Sequence, residues 1–309
     1  MTLSVPPRST RCLSSDRKTP GLITAAFGRR FLVESADGRV RDCVTRGKRN
    51  DYACGDRVTI TAEDDGHGVI DDCAPRRTLL YRSDRWKQKL LAANVTQMVM
   101  VVAPVPSFDL EVLDCCLAAA EHAGIRSLIV LNKTDLPESA KSETALALYT
   151  AMGYPLLKLV ATQGVEPLRP RLAGQCSVLV GESGMGKSTI LNALLPQAAA
   201  VTQEVSAALG TGKHTTSHAR LHHLDAESAI IDTPGVQAFG IHHLGVADLA
   251  AAFSEFRPYL GQCRFRDCRH LEEPGCAITA AQAAGAITAR RLAVYRRLAG
   301  ENLRQQKSF

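Results

Sequence analysis

The sequence predicts an α/β protein in which a small β-barrel precedes the α/β domain and a helical, metal-binding domain follows it. Two observations carry this prediction. Between residues 95 and 245, apolar strand-like runs alternate with helical stretches, which is typical of a parallel sheet covered on both faces. On either side the pattern changes, to short strands with turn signals before this region and to basic helices with a cysteine and histidine cluster after it.

The composition of the 309-residue chain is that of a globular protein, with 45% hydrophobic and 22% charged residues. The longest apolar run, residues 98–105, is far shorter than the roughly 18 to 20 residues that cross a bilayer. No apolar segment near the N-terminus indicates a secretory signal. We therefore expect a cytoplasmic protein that does not contact membranes, whose 10 cysteines are free thiols or metal ligands.

The charge is distributed unevenly along the chain. Residues 1–90 and 257–309 each carry a net charge of +6, whereas residues 91–256 carry −6. Basic ends favour a polyanionic partner such as nucleic acid, and ordinary solubilising charge is the alternative. Because no heptad pattern or apolar surface patch is readable, we expect a monomer.

Residues 1–19 are rich in Ser, Pro, Arg and Thr and are predicted to form a flexible arm. Residues 20–85 are predicted to form the barrel, with an Asp37-Gly38 hairpin turn. Five short strands so close together favour an OB-type barrel, a fold often used to bind oligonucleotides. The alternative is a small barrel that only packs on its neighbour. The predicted strands are residues 22–26, 30–35, 40–45, 57–62 and 69–73.

Residues 86–245 form the predicted α/β domain, which contains a phosphate-binding loop. The segment from Gly181 to Ser188 fits G-x-x-x-x-G-K-[ST] and lies between an apolar strand and a helix, as this motif requires. Its N–H groups would cradle phosphate oxygens, Lys187 would bridge the β- and γ-phosphates, and the Ser188 hydroxyl would bind Mg²⁺. A glycine-rich turn with an adventitious lysine is the alternative. The predicted nucleotide contacts here are Gly181, Glu182, Ser183, Gly184, Met185, Gly186, Lys187, Ser188 and Thr189.

Two further motifs follow predicted strands. In Asp232-Thr-Pro-Gly235, the Asp232 carboxylate would hold the Mg²⁺ shell through water, and the Gly235 N–H would contact the γ-phosphate. In Asn132-Lys-Thr-Asp135, the Asp135 carboxylate would accept hydrogen bonds from guanine N1 and N2, which adenine cannot supply. Asn132 would tie the nucleotide-binding loops together, the Lys133 stem would cover the base, and Thr134 completes the motif. A solvated turn is the alternative for this second motif.

The order of these motifs predicts a circular permutation. In ordinary GTPases the phosphate-binding loop comes first, DxxG second and NKxD third. In this chain NKTD at 132 precedes the loop at 181 and DTPG at 232. Each motif still ends a strand, so the same sheet can form with its termini relocated. The predicted fold is therefore a circularly permuted P-loop GTPase domain between the barrel and residues 246–309.

A cysteine and histidine cluster lies in residues 246–309. Cys263, Cys268, His270 and Cys276 offer three thiolates and an imidazole, which suit one tetrahedral structural Zn²⁺ ion. A chance cluster is the alternative. Two sets of arginines suit phosphate groups, although a solvated helix face explains the second set equally well. The first set is Arg264, Arg266 and Arg269, and the second is Arg290, Arg291, Arg296 and Arg297.

The permuted motif order, the barrel before it and the metal cluster after it resemble the ribosome small subunit-dependent GTPase A family (RsgA, or YjeQ). Two segments match as well, Gly210-Thr-Gly-Lys-His-Thr-Thr216 and Cys263-Arg-Phe-Arg-Asp-Cys-Arg-His270. The resemblance implies a GTPase that binds the small (30S) ribosomal subunit and acts late in its maturation. It implies GTP or GDP, Mg²⁺ and Zn²⁺ as ligands, and rRNA contacts by the barrel and the zinc domain.

The resemblance also assigns the segment at 210–216 to switch I, where the hydroxyl of Thr215 or Thr216 would complete the Mg²⁺ shell. Many GTPases place a Gln directly after DxxG to orient the attacking water, but this chain has Val236 there. His214 is the nearest candidate for that role, and a surface histidine is the alternative.

The base-contacting loop departs from the family pattern. Val160 stands where the family usually has Ser, while the N–H of Ala161 remains available to guanine O6. The leading function is therefore a GTP hydrolase, and the alternative is a nucleotide-regulated RNA-binding protein with negligible turnover. A metabolic kinase is excluded because Asp135 serves guanine rather than a phosphoryl acceptor.

Overall fold

The computed structural model describes residues 18–47, 51–64, 66–84, 87–196, 219–233, 241 and 244–306. The predicted arm lies outside this part of the chain except for its last two residues, which begin the first strand. The α/β class, the N-terminal barrel and the helical C-terminal region are all confirmed.

Five strands form the barrel, and its sheet closes on itself. The spatial order is β1-β2-β3-β5-β4, and β4 pairs back with β1. The β3–β5 pair is parallel and the others are antiparallel. Phe31 and Val33 alternate with more exposed neighbours on β2 and fill the barrel core. The strands are β1 (Lys18–Phe27), β2 (Arg30–Ser35), β3 (Val40–Thr45), β4 (Arg57–Ala62) and β5 (His67–Cys73).

A two-stranded hairpin follows the barrel and was not predicted. It consists of β6 (Leu79–Asp84) and β7 (Lys87–Ala93), and it lies across the domain boundary predicted at residue 85. Its strands were missed because charged and polar residues interrupt the alternation there.

The central domain contains six strands in the order β10-β9-β8-β11-β13-β12. The first five are parallel, and β12 is antiparallel to β13. Every residue of β8 is buried, as expected for a central strand covered on both faces. The strands are β8 (Gln97–Val102), β9 (Arg126–Leu131), β10 (Leu156–Lys158), β11 (Cys176–Val180), β12 (Arg220–His223) and β13 (Ala229–Asp232).

Helices cover both faces of this sheet. Met98 and Met100 of β8 pack with Leu117 on one face, whereas Val99 packs with Ile190 on the other. Gly124 follows the C-cap residue of the first helix and has φ 65°, a left-handed conformation that glycine adopts readily. The helices are α1 (Leu110–His122), α2 (Ser139–Ala151), the single turn α3 (Arg169–Leu172) and α4 (Lys187–Leu194).

The barrel and the central sheet are continuous. Ala25 of β1 pairs with Arg220 of β12, which joins all the barrel and central strands into one 11-stranded sheet. Beside this joint, His223 Nε2 lies 2.7 Å from Glu34 Oε2 of the barrel. The barrel is therefore attached through the strand next to β13.

The C-terminal region is helical and has its own core. It contains α5 (Val246–Ala252), a 3₁₀ helix (Ser254–Tyr259), α6 (Ala277–Ala283) and α7 (Ala289–Gln306). Tyr295 packs edge-on against Phe253 and Phe256, with ring centroids 5.6 and 5.1 Å away. Among the described helices, none combines the length and apolar character that a bilayer crossing requires.

Candidate functional site

The predicted nucleotide motifs meet at one edge of the sheet. Asn132 follows β9, Gly181 follows β11, and Asp232 ends β13. These strands are parallel, with Val180 opposite Met100 and Leu179 opposite Asp232 in the register. Because the carboxyl ends of parallel strands share an edge, motifs far apart in the chain become neighbours there.

The phosphate-binding loop requires glycine at two of its positions. Gly181 has φ 147°, and a Cβ there would lie 2.3 Å from the Val101 carbonyl oxygen. Gly186 has φ 96°, and a Cβ there would lie 2.2 Å from Asn132 Nδ2. Any side chain at either position would collide with its neighbour and strain the backbone. The glycines therefore allow the loop to curl tightly against β8 and Asn132.

Lys187, the first residue of α4, lies inside this loop. Its Nζ donates to the carbonyl oxygens of Gly181 at 2.7 Å and Glu182 at 2.8 Å. Burial lowers the pKa of Lys187, and the charges of Asp232 and Glu182 oppose that effect. The ammonium group therefore feels the negative charge of Asp232 at the end of β13 as well as that of Glu182 in the loop.

The remaining loop residues differ in exposure. Met185 is buried in the core beneath the loop, whereas Ser183, Gly184, Ser188 and Thr189 are exposed. The hydroxyl groups of the first turn of α4 are therefore accessible from solvent.

Asn132 connects three segments of the site. Its Nδ2 donates to the Met185 carbonyl at 3.0 Å, and its Oδ1 accepts the Ala161 N–H at 3.0 Å. Asn132 is only 2% exposed, so both bonds are shielded from water. This geometry agrees with the predicted tying role.

Lys133 adds a second link to the phosphate-binding loop. It has φ 59°, and its Nζ donates to the carbonyls of Val105 at 2.6 Å and Gly184 at 2.8 Å. Thr134 anchors the same loop through Leu159, whose carbonyl accepts its N–H and hydroxyl at 3.3 Å each. The Asp135 carboxylate is exposed, which leaves it open to a ligand.

The Ala161 N–H is engaged within the protein. Because it donates to Asn132 Oδ1, the predicted contact with guanine O6 requires that this N–H be shared between the two acceptors or exchanged. Val160 is half-buried beside it. The sequence alone did not reveal this competition, because it depends on how closely β9 approaches the loop after β10.

A buried hydrogen bond fixes the start of the Asp232-Thr-Pro-Gly235 motif. Thr233 is 1% exposed, and its hydroxyl donates to the Leu179 carbonyl at 2.9 Å. This bond fixes the chain leaving β13 against β11. The predicted residues His214, Thr215, Thr216 and Gly235 lie outside the described residues, as does Val236.

The donor set at this edge fits a nucleoside triphosphate with Mg²⁺. The tight loop, one ammonium group and the start of α4 suit phosphate, and hydroxyl and carboxylate oxygens suit Mg²⁺. The exposed carboxylate of Asp135 lies on the loop that Lys133 ties to the phosphate-binding loop.

The predicted metal ligands lie together in the C-terminal region. The ligand atoms of Cys263, Cys268, His270 and Cys276 lie within 4.8 Å of one another. His270 Nδ1 lies 3.4 Å from the sulfurs of Cys263 and Cys276 and 3.6 Å from that of Cys268. A tetrahedral zinc ion with ordinary bond lengths separates nitrogen and sulfur ligands by about 3.5 Å. The cluster therefore has the dimensions and the ligands of a closed zinc site.

Neighbouring groups hold the cluster in shape. The Glu273 carboxylate accepts the N–H groups of Arg269 at 3.0 Å and Leu271 at 2.9 Å. Helix α7 contributes Tyr295, whose hydroxyl donates to the Arg269 carbonyl at 2.7 Å, and Arg296, whose Nε donates to the His270 carbonyl at 3.3 Å. The chain on both sides of His270 is thus fixed by protein contacts.

The four arginines of α7 contact the protein itself. Phosphate binding and a solvated helix face were both considered for them, and burial decides against both for Arg291. Arg290 and Arg291 pair with Asp114, Arg296 bonds His270 and Thr279, and Arg297 pairs with Glu111 and Glu301. The basic helix matches acidic groups of α1, which the sequence could not reveal without the packing of the two helices.

The first arginine set is different. Arg264, Arg266 and Arg269 are exposed, and Phe265 between them is 42% exposed. The Arg264 guanidinium lies 5.5 Å from the centre of the Phe265 ring. The metal cluster therefore presents a basic surface with an aromatic ring.

In this parallel sheet, the strand followed by NKTD comes earlier in the chain than the phosphate-binding loop. That order defines a circularly permuted P-loop GTPase. Comparisons with known proteins support that class. The family model for the RsgA GTPase matches residues 73–242, and the chain belongs to that family.

Curated relatives match over most of the chain. A small ribosomal subunit biogenesis GTPase RsgA from Nitrosomonas europaea is 50% identical over 295 residues, which is 93% of this chain and 94% of that protein. One from Neisseria meningitidis is 52% identical over 271 residues, 88% of each.

Solved structures agree on the fold. YjeQ from Thermotoga maritima has a TM-score of 0.71 and 30% identity, and the match covers 93% of this chain and 99% of that one. YloQ, described as a circularly permuted GTPase, has a TM-score of 0.67 and 25% identity, with 96% and 99% covered. The family resemblance seen in the motif order is confirmed.

Proposed function

We propose that this protein hydrolyses GTP to GDP and phosphate on the small ribosomal subunit, during the late maturation of that subunit. The observation that carries the proposal is the junction at Asn132, which binds Met185 of the phosphate-binding loop and Ala161 of the base loop. The relatives named small ribosomal subunit biogenesis GTPases support the choice of partner. A role on ribosomal subunits implies a cytoplasmic protein, and we expect it to act as a monomer.

Each motif has a distinct part in binding GTP. Lys187 would move its Nζ from the loop carbonyls to the β- and γ-phosphates, and the loop N–H groups would receive the remaining phosphate oxygens. The Asp135 carboxylate would accept guanine N1 and N2 donors, and the Lys133 stem would cover the base. The Ala161 N–H would share its bond with guanine O6.

The metal-binding oxygens surround the same phosphates. Ser188 would bind Mg²⁺ directly and Asp232 through water, and the hydroxyl of Thr215 or Thr216 would complete the shell. When bound, Mg²⁺ supplies charge neutralisation for the triphosphate. His214 would orient the attacking water, because Val236 replaces the usual Gln and an apolar side chain cannot do so.

The cysteine and histidine cluster would hold a structural Zn²⁺. Three thiolates and one imidazole fill a tetrahedral shell, so no position remains for a reacting water. When bound, the ion supplies a cross-link for a short loop. That loop would keep Arg264, Phe265 and Arg266 in place for RNA.

Two surfaces would contact rRNA. On the cluster, Phe265 offers a ring for base stacking and its flanking arginines offer positive charge. On the barrel, Phe27 is 40% exposed and is followed by the exposed Arg29 and Arg30. The turn between β1 and β2 is a frequent oligonucleotide-binding position in OB folds.

The alternative, an RNA-binding protein that is only regulated by nucleotide, differs from the proposed function in its rate of GTP turnover.

Nucleotide-controlled binding to the small subunit is tested by sedimentation of the protein with purified small subunits in GDP or in a non-hydrolysable GTP analogue, across a salt series. Binding should be tighter with the analogue and should weaken steeply with salt, because arginines release counterions from RNA. Equal binding in both nucleotides, or a flat salt response, would contradict nucleotide-controlled rRNA binding.

A further inference from the structure

The P-loop residue Glu182 contacts a helix outside the nucleotide site. Its Oε2 accepts the backbone N–H of Asp109 at 2.8 Å, and the Asp109 side chain accepts the Glu111 N–H at 2.8 Å. Asp109 is the N-cap of α1. In an ordinary capping box both capping side chains belong to one helix end, but here the phosphate-binding loop supplies the side chain that accepts the N-cap N–H.

The same helix carries a buried carboxylate to the C-terminal region. Asp114 is fully buried and accepts Arg290 Nη1 at 2.6 Å, Arg291 Nη1 at 2.7 Å and the Tyr149 hydroxyl at 2.6 Å. Arg291 is 1% exposed and also pairs with Glu255 at 2.6 Å. Helix α1 is thus fixed to α7 by a buried carboxylate and the buried Arg291 guanidinium, while the Arg290 side chain is partly exposed.

Helix α7 connects these buried ion pairs to the cysteine and histidine cluster. One turn after Arg291, Tyr295 binds the Arg269 carbonyl and Arg296 binds the His270 carbonyl. Two rigid helices therefore join the phosphate-binding loop to the backbone around a predicted zinc ligand.

We infer that Glu182 is a positioning residue that couples nucleotide binding at the phosphate-binding loop to metal binding at the cysteine and histidine cluster, through α1 and α7. The inference rests on the proposed function, because it requires that the loop bind a guanine nucleotide. A nucleotide that orders the loop fixes Glu182, and through it the contacts of α1 and α7. The cluster then loses less conformational entropy when it holds its ion, and linkage makes the effect reciprocal.

The test measures zinc release from the full-length protein. Zinc-loaded protein is mixed with excess 4-(2-pyridylazo)resorcinol, and the rate of zinc transfer is recorded with and without GDP. GDP is kept saturating for each variant, as verified with a fluorescent GDP analogue. We expect GDP to slow release about five-fold or more in the wild type.

Two variants test the route, and one serves as a control. In Glu182→Ala the ratio of rates with and without GDP should fall to near one, since the bond between the phosphate-binding loop and the Asp109 N–H is lost. Tyr295→Phe removes one hydroxyl at the far end of the path and should reduce the ratio as well. Glu166→Ala should keep the wild-type ratio, because Glu166 is exposed and pairs only with Arg169 among the contacts seen in its part of the structure.

The outcomes separate this inference from the proposed function. If the wild type binds no guanine nucleotide, the proposed function fails. If it binds GDP and zinc release is unchanged, the coupling is overturned. If Glu182→Ala retains the full effect of GDP, the route through Glu182 is overturned.

Discussion

Asp114 of α1 and Arg291 of α7 form a buried ion pair, with 2.7 Å between Oδ1 and Nη1. Both side chains are nearly inaccessible to solvent, at 0% and 1% exposure. Asp114 also accepts Arg290, and Arg291 also donates to Glu255, so two carboxylates face two guanidinium groups. The charges are balanced, and the Arg291 guanidinium stacks 4.4 Å from the centre of the Phe253 ring. This pair fastens the GTPase domain to the C-terminal region.

Removing one charge from this network should be costly. We expect Asp114→Asn to lower the free energy of unfolding by about 3 to 5 kcal/mol, because Glu255 alone then faces two guanidinium groups and the buried network carries an unbalanced positive charge. Glu111→Gln is the matched control, since Glu111 lies on the same helix and pairs with Arg297 of α7 near the surface. The control should cost at most about 1 kcal/mol. Urea unfolding of both variants measures the difference, and equal costs would contradict the buried pairing.

Asp135 should determine which nucleotide base the protein binds. In Asp135→Asn one of the two acceptors becomes a donor, so the variant should lose affinity for GTP and gain affinity for xanthosine triphosphate. Competition binding with the two nucleotides measures the exchange, and Glu138→Gln on the same exposed loop serves as a control. Unchanged GTP affinity in the Asp135 variant would remove this carboxylate from the base pocket.

The stability of the protein should fall in mild acid because of His222. Burial lowers the pKa of His222 to about 4, and the charges of Arg220 and His223 add to the effect. The unfolded chain binds a proton near the ordinary pKa of 6.5, whereas the folded chain does so only near 4. Between these values the unfolded state holds more protons, so the free energy of unfolding decreases as pH falls.

The expected loss between pH 7.5 and pH 5 is roughly 2 kcal/mol. Urea unfolding at both pH values should show a loss that is larger in the wild type than in His222→Gln by about this amount, because burial also lowers the pKa of His270, which both proteins contain. Carboxylates with lowered pKa values, such as Asp64 and Glu143, start from ordinary values of 3.8 and 4.5, and they titrate below this window. An equal loss in the wild type and in the variant would show that His222 is not responsible.

His214 should matter for turnover more than for binding. We expect His214→Ala to lower kcat by roughly 10²-fold while GTP still binds, as for the loss of a group that positions water. Stopped-flow phosphate release and GTP binding are measured on the same preparation. If turnover persists and only binding to the small subunit weakens, His214 contacts the subunit and another group orients the water.

Much of the fold could be predicted because local patterns agree with the tertiary arrangement. The motif order alone gave the permutation, since each motif ends a strand and the strands share one edge. The cluster from Cys263 to Cys276 was also readable, because four ligands lie close together in the chain. The Asp37-Gly38 turn was predicted correctly, with Gly38 at φ 76°.

What could not be predicted depends on contacts between distant segments. In the sequence, Arg291 belongs to a group of arginines that suits phosphate binding. Only the packing of α7 on α1 shows that it is buried against Asp114. The engagement of the Ala161 N–H by Asn132 likewise needs the distance between two loops. The bond between Glu182 and Asp109 joins residues 73 positions apart, and no spacing rule reports it.

The rate of phosphate release from GTP, with and without purified small ribosomal subunits, tests the central claim most directly. We expect slow release from the protein alone and much faster release with small subunits, while Lys187→Ala should show no turnover above background and an unchanged far-UV circular dichroism spectrum. Large ribosomal subunits provide the control for non-specific stimulation. Wild-type turnover in Lys187→Ala, or a rate that small subunits leave unchanged, would contradict the assignment of this protein as a GTPase that acts on the small subunit.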